Sequence, residues 1–193
     1  TCALPILNDV RLVAMDGLKE STVGFHLGQL QSELSGRPLN WSREQLADGV
    51  NIAAQNGFFK DGKRSDMITL AVDNDTAGHN FITNFLKKEI PIQIDIPPIL
   101  YRNRDKADWN DYLTRPTTSG TAIYHVYSFD RENEDYHYHG YYPEELAVFK
   151  QKELTSDKVK VVTSKGILMK EEIEPLIAFT EGLLQDRARS EER

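Results

Sequence analysis

Residues 67–78 read Met67-Ile68-Thr69-Leu70-Ala71-Val72-Asp73-Asn74-Asp75-Thr76-Ala77-Gly78, an apolar run that ends in two acids one residue apart. The run predicts a buried strand, and Asp73 and Asp75 share one side or one loop rim because side chains alternate along a strand. Such a pair at the carboxyl end of a strand in an open α/β sheet lies where ligands usually bind, and its hard oxygen atoms suit Mg²⁺ or Mn²⁺. The stretch therefore predicts a metal site that meets phosphate.

The composition predicts a soluble chain of one domain, or one domain with a small appendage. Of its 193 residues, 39% are hydrophobic and 27% are charged. The only cysteine, Cys2, excludes a disulfide framework and a cysteine-based zinc site, so we expect a cytoplasmic protein. No apolar run approaches the roughly 20 residues that span a bilayer, so we expect no membrane partner. Because the first residue is Thr1, we expect further domains of a longer polypeptide.

The charge balance limits how this chain could meet nucleic acid. Lys and Arg total 23 against 30 Asp and Glu, a net charge of −7. That balance argues against a protein that coats nucleic acid through a broad basic surface. It does not exclude nucleic acid, because a metal-dependent enzyme concentrates carboxylates at its site and can approach phosphates through a local basic patch.

A strand and a helix are predicted before the first loop. Arg11–Met15 is a short apolar run closed by Asp16-Gly17, which is typical of a buried strand with a turn at its carboxyl end. Leu18–Leu34 then carries apolar residues three and four positions apart, the pattern of an amphipathic helix. Gly36 and Pro38 should end that helix.

The next segment allows two interpretations. Ser42 and Gln45 resemble a capping box that begins a short helix through Ala47. Val50–Ala54 then predicts a second strand, and a continuous helix from Ser42 to Gln55 is the competing interpretation.

A helix and a strand should follow the acidic pair. The helix is predicted from about Ala77 to Glu89, and Ile92–Ile96 alternates as a strand should before Pro97-Pro98 ends it. Repeated strand, helix, strand order predicts an α/β fold with a mainly parallel sheet, right-handed crossovers and helices on both faces. This fold should occupy residues 1–116.

Residues 117–193 predict a small α+β module that could pack on the first part. We expect a hairpin formed by Ala122–Phe129 and Tyr136–Tyr142, followed by a short helix at Pro143–Lys150. A strand at Val159–Thr163 and an amphipathic helix at Lys170–Gln185 should complete the module. His137 and His139 would share a strand face with Asp135 and could bind a metal, although a hairpin arm with aromatic neighbours needs none. His79 follows the acidic pair and could contact a phosphate, but a position on a helix surface is the favoured interpretation.

Four segments in order resemble a Toprim domain of the bacterial primase type. Met15-Asp16-Gly17-Leu18-Lys19-Glu20 is similar to the acidic run after the first strand, and Asn51–Gly57 resembles the strand and glycine turn that come next. Asp73–Gly78 matches the Asp-x-Asp-x-Ala-Gly segment, and Lys106–Leu113 is similar to the acidic element that follows. Trp109-Asn110-Asp111-Tyr112-Leu113 narrows the resemblance to LtrC-like proteins of conjugative plasmids and integrative elements.

The resemblance implies a magnesium-dependent site and roles for its residues. The metal, Mg²⁺ or Mn²⁺, would be held by Asp73, Asp75 and Asp16. Catalytic roles would fall to Asp16 and Glu20, as general base or acid. The expected substrate-binding residues are Lys106, Asp108, Asp111 and Gly78, although Asp111 could equally cap its own helix. The reaction would be nucleotidyl or phosphoryl transfer on nucleic acid, with DNA, an RNA primer and nucleotides as partners.

One departure from the family pattern leaves enzyme activity open. Asp16 stands where the family carries Glu. Because Asp is one methylene shorter, its carboxylate would lie roughly 1.5 Å from the usual position, and a displacement near 1 Å can lower the rate about a hundredfold. The alternative is a catalytically inactive Toprim-fold module that binds or scaffolds a conjugation protein. A weaker option is a small-molecule phosphotransferase or phosphatase with a similar acidic edge.

Overall fold

The chain combines helices with a parallel and an antiparallel sheet, which is a mixed α/β fold. The computed structural model describes residues 12–55, 68–99, 105–110, 124–140 and 151–191. Contacts between residues divide the chain into two units, Thr1–Asp66 and Met67–Arg193. Within the described ranges, no helix is long and apolar enough to cross a bilayer.

The first unit packs helices against one another at glycines. Its helices are α1 (Glu20–Ser35), α2 (Arg43–Ala47) and α3 (Gly49–Gln55). As predicted, α1 ends at Gly36, whose φ of 66° is the left-handed conformation that glycine adopts without a steric penalty. A Cβ on Gly24 would lie 2.8 Å from the Cα of Gly49. The two glycines therefore let the backbones of α1 and α3 approach closely.

The predicted capping box of α2 is confirmed. The backbone N–H of Ser42 donates to Gln45 Oε1 at 2.8 Å, and the backbone N–H of Gln45 donates to Ser42 Oγ at 3.2 Å. These reciprocal bonds satisfy two amide groups that a helix start leaves without partners. The local sequence was therefore sufficient to locate the beginning of α2.

The strand predicted at Val50–Ala54 is wrong, because these residues belong to α3. Val50 and Ala53 are three positions apart and both fully buried, a helical spacing, so packing overrides the strand preference of valine. The competing prediction of one continuous helix was closer, but Asp48 separates α2 from α3. The strand predicted at 11–15 is not formed by the described residues 12–15, among which only Val13 makes a single β-bridge.

The second unit begins with the predicted order of strand, helix and strand. Strands β1 (Ile68–Ala71) and β2 (Ile92–Asp95) pair in parallel, and α4 (Thr76–Lys87) connects them. The apolar residues Phe81, Ile82, Phe85 and Leu86 of α4 are buried, three and four positions apart as on one helix face. The mainly parallel sheet with helices on both faces is not shown, since in the described part of the chain this sheet has two strands.

A four-stranded antiparallel sheet follows in the same unit. Its strands are β3 (Tyr124–Asp130), β4 (Asp135–Gly140), β5 (Val159–Thr163) and β6 (Gly166–Ile167), in the order β4-β3-β5-β6. The predicted hairpin is confirmed as the β3–β4 pair. Helix α5 (Gln151–Leu154) precedes β5, and α6 (Lys170–Glu191) extends beyond the predicted end at Gln185. The helix predicted at Pro143–Lys150 lies outside the described residues.

The two faces of the antiparallel sheet bury different kinds of side chain. One face packs an apolar cluster against α5 and α6, formed by Val126, Leu154, Val159, Val161 and Ile173. The opposite face carries His125, Tyr127 and Tyr138 and lies toward α4 and β2. The boundary predicted near residue 116 stays a prediction, because residues 111–123 lie outside the described ranges.

Candidate functional site at the end of strand β1

The acids predicted to bind metal lie in a short segment after β1, here called the acidic loop (Asp73–Asp75). Its central residue, Asn74, forms an antiparallel bridge with Ala107: the N–H of Asn74 donates to the Ala107 carbonyl at 2.8 Å, and the reverse bond measures 2.9 Å. Because Lys106 and Asp108 flank Ala107, this bridge brings the predicted acidic pair and the predicted substrate-binding block together. The side chains of Asp73, Lys106 and Asp108 are exposed.

Each acid of the loop also has a structural task. Asp75 is the N-cap of α4, where its Oδ1 accepts the Gly78 N–H at 2.7 Å. Asp73 Oδ1 accepts the N–H of Trp109, the first residue of a helical turn, at 3.2 Å. The Asp75 contact is an N-cap bond, and the Asp73 contact satisfies an amide at the start of the other helical turn from a distant segment. In both, a carboxylate meets the N-terminal end of a helical segment, where negative charge is favourable. A carboxylate has two oxygens, so a capping acid can still ligate a metal.

Gly78, predicted to meet substrate, has a packing reason of its own. It is buried, and a Cβ at this position would collide with the carbonyl oxygen of Asp73. Its backbone N–H already donates to Asp75. Glycine is therefore required here for the acidic loop to fold back on the first turn of α4.

The centre of the acidic loop is buried and joined to a histidine. The side chain of Asn74 is 1% exposed, its Nδ2 donates to the Pro97 carbonyl at 3.1 Å, and its Oδ1 lies 2.8 Å from His79 Nε2. His79 Nδ1 lies 2.8 Å from the Tyr127 hydroxyl. His79 was predicted on a helix surface, but that prediction is wrong because its side chain is 7% exposed.

His79 belongs to a group that we call the histidine–tyrosine cluster (His79, His125, Tyr127 and Tyr138), of which Tyr138 is half-buried and the others are buried. The Tyr138 ring stacks on His79 with centroids 3.5 Å apart and an interplanar angle of 14°. The Tyr138 hydroxyl lies 3.0 Å from His125 Nδ1. Sequence reasoning missed this cluster, although His125, Tyr127 and Tyr138 alternate with other residues along strands as one sheet face would require.

The bonding partners fix which atoms donate along this chain. Asn74 Nδ2 donates to a carbonyl, so Asn74 Oδ1 is the acceptor and the proton between it and His79 lies on Nε2. The neutral ring then has an acceptor at Nδ1, which receives the Tyr127 O–H. A single directed chain of hydrogen bonds thus runs from the antiparallel sheet to the backbone beside the acidic loop.

Burial keeps the cluster neutral. Desolvation lowers the pKa of His79 to about 4, although the nearby Asp75 carboxylate opposes the shift. Desolvation, followed by the proximity of His79, lowers the pKa of His125 to about 3. Burial next to Tyr138 raises the pKa of Tyr127 well above its usual value. At neutral pH the acids of the loop therefore have an uncharged polar support.

Sequence reasoning also missed an acid at the same edge. Asp95 ends β2 and pairs in register with Ala71, the last residue of β1. Desolvation raises the pKa of the Asp95 carboxyl. The signal was available, since Asp95 is the last polar residue of an alternating strand that Pro97-Pro98 ends.

The remaining predicted residues have other positions. Asp16 and Glu20 belong to the first unit, where Asp16 is exposed and Glu20 is the first residue of α1. Asp111 lies outside the described residues. His137 and His139 have ring centroids 5.0 Å apart, and His139 Nε2 lies 2.6 Å from Ser128 Oγ.

The donor set fits a metal that keeps much of its water. Across the described ranges, no group of three or more His, Cys, Asp or Glu is arranged to hold a metal ion. Mg²⁺ is commonly bound through one or two carboxylates, several waters and substrate phosphates. Asp73 and Asp75, two hard donors on one loop, match that mode better than a closed protein cage.

Comparison with protein-family models found no match, and neither did comparison with curated proteins or with solved structures. The likeness to Toprim domains therefore rests on the order of the motifs in the sequence. What those motifs imply about activity is a proposal for this chain.

Proposed function

We propose that this chain is a Toprim-like, Mg²⁺-dependent module of a primase-like or DNA-processing protein from a mobile element. The observation that supports it is the bridge between Asn74 and Ala107, which joins the acidic pair to the Lys106–Asp108 block at the carboxyl end of a parallel strand. These segments are 31 or more residues apart in sequence, yet both belong to the motifs that suggested the family.

The chemistry proposed for the site is nucleotidyl or phosphoryl transfer. Asp73 and Asp75 would hold Mg²⁺ or Mn²⁺, which supplies charge stabilisation to the transferring phosphate when bound. Lys106, exposed beside the bridge, would contact a substrate phosphate, with Asp108 next to it. The roles that the resemblance implies for Asp16 and Glu20, as metal ligand and as general acid or base, stay predictions from the sequence.

Metal binding tests the proposal directly. We expect calorimetry to detect Mn²⁺ binding to the chain that is lost in Asp73→Asn and Asp75→Asn. Asparagine is as good an N-cap as aspartate, so Asp75→Asn removes the charge while preserving the start of α4. Asp157→Asn, at an exposed site in the loop before β5, is the matched control. Equal Mn²⁺ binding by all four proteins would refute the site.

A second candidate function is a catalytically inactive binding or scaffold module. The observation that favours it is that Asp73 and Asp75 both accept an N–H at a helix start, which explains acids at these positions without a metal. Primer synthesis and nuclease assays on DNA separate the two functions. Turnover that Asp75→Asn abolishes supports the enzyme, whereas metal binding or partner binding without turnover supports the scaffold.

A further inference from the structure

We infer that His79 is a positioning residue for the acidic loop and that the β3–β4 hairpin holds His79 in place. This inference rests on the proposed function in that the loop it positions is the proposed metal site. It gives the hairpin a task that the motif set does not include, namely to support a loop at least 49 residues earlier in the sequence.

The argument begins with Asn74, whose side chain is 1% exposed. A buried amide without hydrogen-bond partners costs free energy, so its orientation follows the partners available. Those partners are the Pro97 carbonyl and the Nε2 of His79. Asn74 lies between Asp73 and Asp75, so whatever fixes its side chain also fixes the backbone that carries both acids.

The position of His79 is determined in turn by the hairpin. Tyr127 on β3 donates its hydroxyl to His79 Nδ1, and Tyr138 on β4 covers the ring face at 3.5 Å. Tyr127 and Tyr138 are directly paired across the two strands. These two paired residues therefore fix the imidazole of His79 in two ways: Tyr127 fixes its hydrogen-bonding edge, and Tyr138 packs against its face.

This arrangement differs from ordinary core packing because each bond has a direction. A hydrophobic side chain could fill the volume of His79, but it could not donate to Asn74 Oδ1. Groups that orient metal ligands from behind commonly contribute about 10- to 100-fold to metal affinity. The chain from Tyr127 through His79 to Asn74 can act in this way on the proposed site.

The test uses substitutions that remove one bond at a time. Tyr127→Phe deletes a single oxygen, His79→Leu removes both ring bonds, and His79→Gln retains an N–H donor near the position of Nε2. Tyr136→Phe is the matched control, because it is the same change on β4 in a ring that lies edge-on to Phe129. The measurements are Mn²⁺ affinity by calorimetry and amide hydrogen exchange at Asn74 and Ala107.

We expect His79→Leu and Tyr127→Phe to weaken Mn²⁺ binding by about 10- to 100-fold, with the smaller loss for Tyr127→Phe. Exchange at Asn74 and Ala107 should accelerate while exchange at Val161 and Val162 in β5 stays slow. His79→Gln should recover much of the affinity and protection, and Tyr136→Phe should match the native chain. If His79→Leu does not fold, Tyr127→Phe and His79→Gln carry the test.

Two results would overturn the inference. One is native exchange at Asn74 and Ala107 in a folded Tyr127→Phe or His79→Leu protein. The other is faster exchange at all four amides together, which would show that His79 contributes only general stability. A native chain that binds no Mn²⁺ through Asp73 and Asp75 would refute the proposed function instead, and the exchange data would still decide the positioning role.

Discussion

The acidic loop and the histidine–tyrosine cluster are adjacent regions with opposite physical character. At the end of β1, Asp73 is exposed and Asp75 is half-buried, whereas His79, His125 and Tyr127 are buried and both histidines are neutral at pH 7. Asn74 belongs to both, since its backbone is part of the loop and its side chain bonds to His79. Asn74 and His79 are close to the acids in sequence, but the tyrosines that hold His79 come from the distant strands β3 and β4.

Acid should affect the cluster more strongly than any single substitution in the loop. Both buried histidines have folded pKa values below the unfolded value of 6.5, so the unfolded state binds protons first as pH falls. The stability that each contributes above pH 6.5 should therefore be lost as the pH falls to about 4 for His79 and to about 3 for His125. For His79 a change from 6.5 to about 4 corresponds to on the order of 3 kcal/mol.

Urea unfolding between pH 7 and pH 4 measures this effect. His125→Asn keeps a polar atom near Nδ1 but removes the titrating ring, so its unfolding free energy should depend less steeply on pH than that of the native chain. Carboxylates contribute to acid unfolding in both proteins, and the difference in slope isolates the histidine. Identical slopes would mean that His125 titrates normally in the folded chain.

Two glycine-to-alanine substitutions distinguish a glycine that is sterically required, at the acidic loop, from one that only lowers helix propensity, in α6. Gly78→Ala should destabilise the fold by about 1–3 kcal/mol because the new Cβ meets the Asp73 carbonyl oxygen. Gly182→Ala should stabilise α6 by about 0.5–1 kcal/mol, since nothing lies within 4 Å of the added carbon. Thermal or urea unfolding measures both, and the same sign for the two changes would contradict this account of the loop.

Features that depend on neighbouring residues could be predicted from the sequence, and features that depend on tertiary contacts could not. Local signals were sufficient for the Ser42 capping box, for the strand before Asp73 and for the β3–β4 hairpin, because each depends on neighbouring residues. Val50–Ala54 was predicted incorrectly because its conformation depends on packing at Gly24 and Gly49. His79 was placed on the surface for a similar reason, since its partners come from β3 and β4.

The candidate site divides in the same way. Asp73 and Asp75 could be chosen from a motif, because acids at the end of a strand carry a recognisable local pattern. The bridge to Ala107 and the bond from Asn74 to His79 depend on tertiary contacts that no spacing reveals. Motifs therefore identify the groups that could perform chemistry, whereas the groups that orient them require the fold.

A smaller change tests the structural task of the acidic loop. Asp75→Ala should cost about 1 kcal/mol of unfolding free energy, because the Gly78 N–H loses its cap. Asp75→Asn should be nearly neutral, since asparagine caps equally well. Urea unfolding of both variants at pH 7 checks the difference. If both variants lose the same amount, the charge of Asp75 matters more to the fold than its cap.

The smallest effect is expected at a second link between α4 and the hairpin. Lys87 Nζ and Asp135 Oδ1 form an ion pair at 2.9 Å, with both side chains more than a third exposed. Exposed pairs typically contribute about 0.2–1 kcal/mol, and salt screens them. A double-mutant cycle with Lys87→Met and Asp135→Asn should therefore give a small coupling energy that disappears near 1 M salt.

The matching cycle with His79→Gln and Tyr127→Phe should give a coupling energy that salt leaves unchanged, because that link is neutral and buried. Equal salt dependence in the two cycles would remove the distinction between an exposed charged contact and a buried neutral support for the acidic loop.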